Sequence, residues 1–331
     1  MIASTSTAVA TSNAVPACYV GIDIGKQEFH VCLAPQQTLR TFAQTAKAQA
    51  ELVQWLQTLN VQSIIIEPTG GYERAVVAAL LTANLPVSLI NPRQSHHARQ
   101  VLAQANKSDP GDAAVLAWMA EHVSTRPVEK TSAIQAEMQG LVQRRQQLLH
   151  MQTAELNRRQ HQLPKAIQQS LQRSLKALEK ELDTIDAAIA KLIESNEDWS
   201  QKAKLLQTVK GVGQVTSQTL IAELPELGQL NRQQIASLAG LAPRLFESGQ
   251  YQGERHIGGG RSSVRSALYM ATLSAIKHNP AIKAQYINLK QRGKKFKVAI
   301  TACMRKLVTI LNTLLKTNQP WRDVTTTSSP S

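Results

Sequence analysis

Apolar and polar residues follow strand-like and helix-like periods in turn through the first third of the chain. Residues 18–25 and 28–33 are short β-rich runs around a glycine-containing turn, which predicts a β-hairpin. The elements predicted after it are a helix at 48–59, a strand at 63–67, a helix at 73–83, a strand at 87–90 and a helix beginning near Asp109. This order predicts an α/β domain over residues 18–127.

The middle of the chain has a different pattern. Residues 128–198 are rich in Gln, Leu, Lys and Glu, and Pro164 separates two long helical patterns. Apolar residues in the second pattern are spaced alternately by four and three, as in a heptad seam. They are Leu171, Leu175, Leu178, Leu182, Ile185, Ile189 and Leu192. We expect a helical hairpin, which is either a coiled-coil arm for dimerisation or a packed pair inside one domain.

Residues 199–320 are predicted to form a mainly α-helical domain with glycine-rich interruptions. Gly211 and Gly213 resemble a helix-hairpin-helix turn, in which backbone N–H groups approach a phosphate, although an ordinary tight turn uses the same glycines. A helix predicted over 294–315 has basic residues towards its start, which either contact phosphates or form a solvated face. These basic residues include Lys294, Lys295 and Lys297. Residues 1–17 and 321–331 have the composition of disordered tails.

The balance of charge favours a polyanionic partner. Lys and Arg total 37 against 23 Asp and Glu, a formal net charge of +14, so nucleic acid is the first candidate. Aromatic residues make up only 4%, which argues against base recognition mainly by stacking. The three cysteines lack metal-ligand spacing, which is typical of a reduced cytoplasmic protein. No signal peptide is recognised, and no apolar run approaches the roughly 20 residues of a membrane span, so no membrane partner is expected.

Four acidic residues occupy positions suited to metal binding. Asp23 lies within a buried-type strand, where an unpaired carboxylate is costly, and Glu67 ends the next apolar strand. Asp109 and Asp112 are one helical turn apart at a helix start. If they converge at one end of a sheet, these acids can hold two divalent cations. Each also has a structural interpretation, since Asp109 can be an N-cap followed by Pro110.

The opening motif Gly21-Ile-Asp-Ile-Gly25 leaves a second enzyme class open. Sugar kinases and actin-like ATPases use a similar strand and hairpin to face a phosphate. That class predicts further glycine-rich phosphate loops and an adenosine pocket, which the sequence does not contain in convincing form.

A serine in the last block is a candidate nucleophile. Ser248 precedes Gly249, which leaves the backbone open to approach, and a glycine-rich turn follows before a helix at Ser262. Arg255, Arg261 and Arg265 can bind a scissile phosphate and neutralise charge that develops on it. The structural alternative is a common Ser-Gly turn.

Several motifs in the same order resemble the IS110 family of insertion-sequence transposases, which includes Piv-like DNA invertases. The resemblance covers residues 19–315 and depends on the acid motifs above and on segments 66–72, 106–113, 240–243, 247–249 and 265–270. Ser108 stands where the family often has Thr, and Pro110 and Gly111 replace larger residues between the two helix acids. The acids keep their spacing, so this departure leaves metal binding intact.

The resemblance implies an RNase H-like (RuvC-like) α/β domain whose DEDD acids are Asp23, Glu67, Asp109 and Asp112. It also implies Ser248 as the nucleophile of a C-terminal transposase domain, Mg²⁺ as the cofactor with Mn²⁺ able to substitute, and dimers or tetramers. A structured bridge RNA that pairs with donor and target DNA is implied too, as is a cytoplasmic, nucleoid-associated location in a bacterium.

The expected function is therefore strand cleavage and exchange by a DNA transposase, with Lys26 and Lys107 as further nucleic-acid contacts near the acids. Two alternatives remain. A metal-dependent junction nuclease would use water as its nucleophile, and a non-catalytic nucleic-acid-binding protein would not cleave at all.

Overall fold

The computed structural model describes residues 16–102, 109–128, 130, 132–244, 247–248, 251–252 and 256–322, with 247–248 and 251–252 described by their backbone. The chain divides into two compact units, Met1–Thr131 and Ser132–Ser331. The first boundary lies four residues after the end predicted for the α/β domain. The separation of the second unit into an arm and a transposase domain stays a prediction.

The first unit contains five strands and four helices in its described part. In chain order they are β1 (Ala17–Ile24), β2 (Glu28–Ala34), β3 (Thr38–Ala43), α1 (Ala46–Gln57), β4 (Asn60–Ile66), α2 (Glu73–Thr82), β5 (Val87–Leu89), α3 (Pro92–Val101) and α4 (Asp109–His122). The predicted hairpin, the two later strands and the three predicted helices are confirmed. β3 and α3 were not predicted.

The sheet has the order β3-β2-β1-β4-β5. The first three strands are antiparallel to one another, whereas β4 runs parallel to β1 and β5 parallel to β4. Helices cover the sheet, as expected where parallel strands are joined by crossovers. The predicted RNase H-like α/β fold is confirmed.

The two faces of the sheet carry side chains of different sizes. Val20, Ile22 and Ile24 alternate along β1 and pack into a large apolar core with α1 and α2. On the opposite face, Gly21 has no side chain, and a Cβ there would lie 2.1 Å from the backbone nitrogen of Ala117 in α4. Gly21 therefore allows α4 to pack directly on β1.

The described part of the second unit is mainly helical, as predicted. Its elements are α5 (Ala133–Arg159), α6 (Lys165–Glu194), α7 (Glu197–Gln207), α8 (Gln214–Glu223), α9 (Arg232–Leu238), β6 (Pro243–Arg244), β7 (Glu247–Ser248), β8 (Tyr251–Gln252), β9 (His256–Ile257), α10 (Ser262–His278), α11 (Pro280–Gln291) and α12 (Phe296–Thr317). β6 pairs with β9 and β7 with β8, so the four short strands form two nested antiparallel pairs.

The helices α5 and α6 form the expected hairpin, joined by residues 160–164. An ion pair joins Arg145 and Asp186 across the hairpin, with Nε 2.5 Å from Oδ1. Met138 at the start of α5 and Ile193 at the end of α6 are buried in the core of the second unit. The end of the hairpin that contains these two residues is therefore part of the core of the second unit.

The helix α12 is the central helix of the second unit. It contacts α7, α9, α10 and α11, and Ile300, Leu307 and Leu311 are among its fully buried residues. By length and composition alone it could cross a membrane, with a mean hydropathy of 1.5 over 18 residues, half of them buried here. The expectation that no segment approaches this length was therefore too strong. A core helix of a folded unit meets the same criterion because it is apolar on most sides.

Candidate active site

The register of the central strands brings two acids to one edge of the sheet. Ile22 of β1 lies opposite Ile66 of the parallel strand β4, so the next residues, Asp23 and Glu67, are neighbours at the carboxyl end of both strands. Asp23 also lies across from His30 of β2. Because side chains alternate along a strand, Asp23 shares the face of Gly21, which is covered by α4.

The helix α4 contributes the other two acids. Asp109 is exposed in the first turn, and Asp112 is buried one turn later. One carboxylate oxygen from each of Asp23, Asp109 and Asp112 lies within 4.8 Å of the others. The predicted convergence of these three acids is thus present, and the glycine at position 21 is what lets α4 approach closely enough to produce it.

Electrostatics in this cluster favour a bound cation. The pKa of Asp23 is raised from 3.8 to about 6, first by burial and then by the charges of Asp112, Asp109 and Glu67, while His30 lowers it. Since Glu67 also raises the pKa of Asp23, the four predicted acids interact electrostatically, although Glu67 is not among the three whose oxygens lie within 4.8 Å. Carboxylate oxygens are the ligands that Mg²⁺, Mn²⁺ and Ca²⁺ prefer, so the donor set fits a divalent cation.

The helix α3, absent from our predictions, supports two of the acids. Ser95 Oγ donates a hydrogen bond of 2.5 Å to Glu67 Oε2, and Arg99 Nε lies 2.8 Å from Asp112 Oδ1. Ser95 and Arg99 are four residues apart and so lie on one face of the helix. A capping box at Asn91 and Gln94 fixes the start of α3. The Asn-Pro that opens α3 was visible in the sequence, but the partners of its helix were not.

Two loops next to the acids are fixed by local hydrogen bonds. After Glu67, the backbone N–H groups of Thr69 and Gly71 both donate to Glu73 Oε2, each at 3.0 Å. Gly71 has φ +98°, which favours glycine. Gln44 Nε2 donates to the carbonyl oxygens of Gly25 and Tyr72, which links this loop to the β1–β2 turn. Lys26 is exposed in that turn, in a position open to a phosphate.

The structure describes the predicted serine only by its backbone. Ser248 ends β7 and pairs with Tyr251 of β8. Its unit is the second one, whereas the four acids belong to the first. Arg255 and Lys107 lie outside the described residues. The assignments of Ser248, Arg255 and Lys107 therefore stay predictions.

Two of the predicted phosphate-binding arginines have partners within the second unit. Both terminal nitrogens of Arg261 donate to the carboxylate of Glu226, at 2.5 and 2.6 Å. Arg265 Nη1 donates to the carbonyl oxygen of Gly259 at 2.7 Å. The Glu226 carboxylate balances the charge of Arg261, so we expect Arg261 to support the glycine-rich turn more than it binds DNA.

The remaining predicted nucleic-acid contacts are three lysines and two glycines. Lys294, Lys295 and Lys297 are all exposed. A Cβ at Gly211 would lie 2.7 Å from the backbone of Ala275 in α10, so Gly211 is needed for packing. A Cβ at Gly213 would meet nothing within 4 Å.

We expect cation binding by the acids to depend on pH. A proton on Asp23 competes with the cation, so the affinity for Mg²⁺ should fall about tenfold per pH unit below pH 6 and level off above pH 7. The folded pKa lies above the unfolded one, so Asp23 contributes stability to the metal-free protein at low pH that is lost as the pH rises from about 4 to 6. Calorimetric titration at pH 5–8 checks this, and an affinity independent of pH contradicts it.

We expect Arg99→Met to destabilise the protein far more than Arg158→Met. The Arg99 and Asp112 side chains are only 19% and 7% exposed, and removing one partner of a buried pair costs about 3–5 kcal/mol. The side chains of Arg158 and Glu155 are 61% and 23% exposed, and such a surface pair is worth less than about 1 kcal/mol. Urea denaturation without metal measures the loss of unfolding free energy in each variant. Equal effects would show that the Arg99–Asp112 contact contributes little. Arg99→Lys tests whether a positive charge at this position is enough to keep the stability of wild type.

Models of known protein families match residues in both units of the chain. A DEDD transposase model of the IS110 family, described as a transposase, matches residues 20–167. A model described as the transposase IS116/IS110/IS902 family matches residues 203–287. Together they cover more than half of the chain, and they include the four acids and Ser248.

Two sequence relatives agree with this placement. The pilin gene-inverting protein of Moraxella lacunata is 28% identical over 317 residues, which are 92% of this chain and 97% of the relative. The transposase for insertion sequence element IS1111A of Coxiella burnetii is 26% identical over 263 residues, 70% of each chain. The Thermus thermophilus RuvC structure aligns with 34% of this chain and 99% of its own, at 15% identity and a TM-score of 0.25. The chain belongs to the IS110 family of transposases, the DNA-recombining enzymes of insertion sequences.

Proposed function

We propose that this transposase cuts DNA by attack of Ser248 on a phosphate, assisted by Mg²⁺ at the four acids, and then exchanges the strands. The observation that carries the metal part is the cluster of Asp23, Asp109 and Asp112, whose carboxylate oxygens lie within 4.8 Å of one another. Burial, and then the neighbouring acids, raise the pKa of Asp23 to about 6. Like charges held this closely in a folded protein favour a cation that offsets their repulsion. The inversion and transposition named for the relatives are reactions of the same kind.

The proposed cleavage step breaks one phosphorus–oxygen bond as it forms another. As the bond between Ser248 Oγ and phosphorus forms, the bond from phosphorus to one strand oxygen breaks. The serine proton is lost to a neighbouring base, and the departing oxygen takes up a proton. Divalent cations bound by Asp23, Glu67, Asp109 and Asp112 would supply Lewis-acid stabilisation of the charge on the phosphate. The phosphoserine keeps the free energy of the phosphodiester, so the reverse attack by a new strand end needs no cofactor that supplies energy.

Guide RNA and oligomerisation belong to the same proposal. The formal charge of +14 supports a large nucleic-acid partner, either DNA alone or DNA with a structured RNA. The heptad seam on α6 is mostly buried within the chain, at Leu171, Leu175, Leu182 and Ile189, so it joins α6 to α5 and does not itself support a dimer. Assembly into a dimer or tetramer, with the hairpin of α5 and α6 as the arm, is proposed from the family resemblance. The acids of one subunit would then act with Ser248 of another. The protein is expected to act in the cytoplasm, at the nucleoid.

A strand-exchange assay tests the function. Full-length protein is incubated with Mg²⁺, DNA carrying the ends of its element and the RNA transcribed beside its gene. We expect recombined DNA, lost on chelation of the metal and in Asp23→Asn. Cleaved but never rejoined DNA would favour a hydrolytic RuvC-like nuclease. Binding with no cleavage under any condition would favour a non-catalytic protein.

A further inference from the structure

A groove of about 780 Å³ lies on the second unit beside the strands that lead to the serine. One wall is α10, the second is the start of α12, and the third is the β6–β9 pair. The buried side chains of Leu241, Ile300 and Met304 contribute to its lining. We call it the α10–α12 groove. Arg265 and Lys297 in its lining are candidate phosphate contacts from the sequence, whereas its apolar floor has no role in the reaction as derived above.

Large apolar side chains are exposed in the groove. Four large apolar side chains on its walls are exposed: Ile257 to 37%, Tyr269 to 38%, Val298 to 52% and Met270 to 64%. Contiguous apolar surface on a folded protein commonly marks a binding site. Methionine adapts to flat ligands of different shape, and a tyrosine ring can stack on a base.

The same groove is positively charged. Arg265, Lys297 and Arg305 line it, His256 lies at one wall, and its lining contains no carboxylate among the described residues. Lys294 and Lys295 are exposed just before α12 begins. An apolar floor with basic residues around it is complementary to a nucleotide, because the base is apolar on its faces while the phosphate is anionic.

We propose that the α10–α12 groove binds an unpaired nucleotide of the DNA during strand exchange. Exchange requires base pairs at the cut site to open, and an opened base loses its stacking partners. The groove offers it an apolar surface, and its β6–β9 wall encloses in sequence the β7–β8 pair that carries Ser248. This inference rests on the proposed DNA substrate, but not on cleavage by Ser248.

Fluorescence anisotropy with the full chain tests this at constant salt and without metal, so that cleavage plays no part. The probes are a matched DNA duplex and the same duplex with three unpaired nucleotides at its centre. We expect wild type to prefer the second probe about tenfold. The double variant Tyr269→Ala/Met270→Gln should lose this preference and bind the matched duplex as before, because base stacking is lost and no charge changes.

Met151→Gln is the matched control, because Met151 is 49% exposed on α5, away from the groove. It should keep the preference. Equal binding of the two probes by wild type would overturn the proposal, as would loss of the preference in Met151→Gln to the same extent. Tighter binding of RNA of the same sequence and shape would overturn the assignment to DNA. The proposed chemistry is tested separately by strand exchange, so either proposal can fail alone.

Discussion

We expect Asp23→Asn to abolish metal-dependent DNA cleavage, with a loss of about 10³-fold or more, and to raise the thermal stability of the metal-free protein. If Asp23 is a metal ligand as proposed, its loss removes several kcal/mol of charge stabilisation in the transition state. The same change relieves repulsion, because the pKa of Asp23 is raised to about 6 by burial and by three neighbouring acids. A residue that costs stability and supports activity is typical of a functional site.

The measurement combines cleavage kinetics with thermal unfolding, with and without Mg²⁺. Wild type should gain stability when Mg²⁺ is added, whereas Asp23→Asn should not. Asp183→Asn is the matched control, because Asp183 is exposed on α6. It should leave both properties unchanged. If Asp23→Asn lowers the stability of the metal-free protein, the acids are held together by other interactions and the argument from repulsion is wrong.

We expect Gly21→Ala to destabilise the first unit by about 3 kcal/mol or more and to remove cation binding. The added Cβ would lie 2.1 Å from Ala117 N and 2.2 Å from Ala113 O, both in the backbone of α4. Backbone atoms cannot move aside as a flexible side chain can, so α4 must shift away from β1. Asp109 and Asp112 would move with it, away from Asp23.

Gly140→Ala provides the control for this substitution. Gly140 lies inside α5, and a Cβ there would meet nothing within 4 Å. Alanine should therefore stabilise the helix by up to about 1 kcal/mol. Urea unfolding and Mn²⁺ titration of both variants check the pair of predictions. A folded Gly21→Ala protein that binds Mn²⁺ like wild type would show that α4 does not need its close contact with β1.

Much of the fold follows from periodic patterns in the sequence. The β1–β2 hairpin and β4 were predictable because their buried residues alternate or run continuously. The helix α3 was missed because Ser95 and Ala98 are its only buried residues in a polar segment, so it shows no apolar period. The strand β3 was missed because it is mostly exposed at the edge of the sheet.

The acids of the candidate site could be predicted from the sequence, whereas the residues that support them could not. A charged residue inside a buried strand identified Asp23, and helical spacing joined Asp109 to Asp112. The supporting contacts of Ser95 and Arg99 could not be predicted, because Ser95 and Glu67 are 28 residues apart and meet only through the packing of α3. The role of Ser248 comes from family resemblance, since a serine before glycine has no distinctive pattern of its own.

The most direct test of the central claim is capture of the covalent intermediate. Wild-type protein is incubated with Mg²⁺, the flanking RNA and DNA ends labelled with ³²P, then run on a denaturing gel and digested for mass spectrometry. The account predicts a protein–DNA adduct on Ser248 that is absent in Ser248→Ala and in Asp23→Asn. Cleavage that leaves no adduct and survives Ser248→Ala would contradict it, and water would then be the nucleophile.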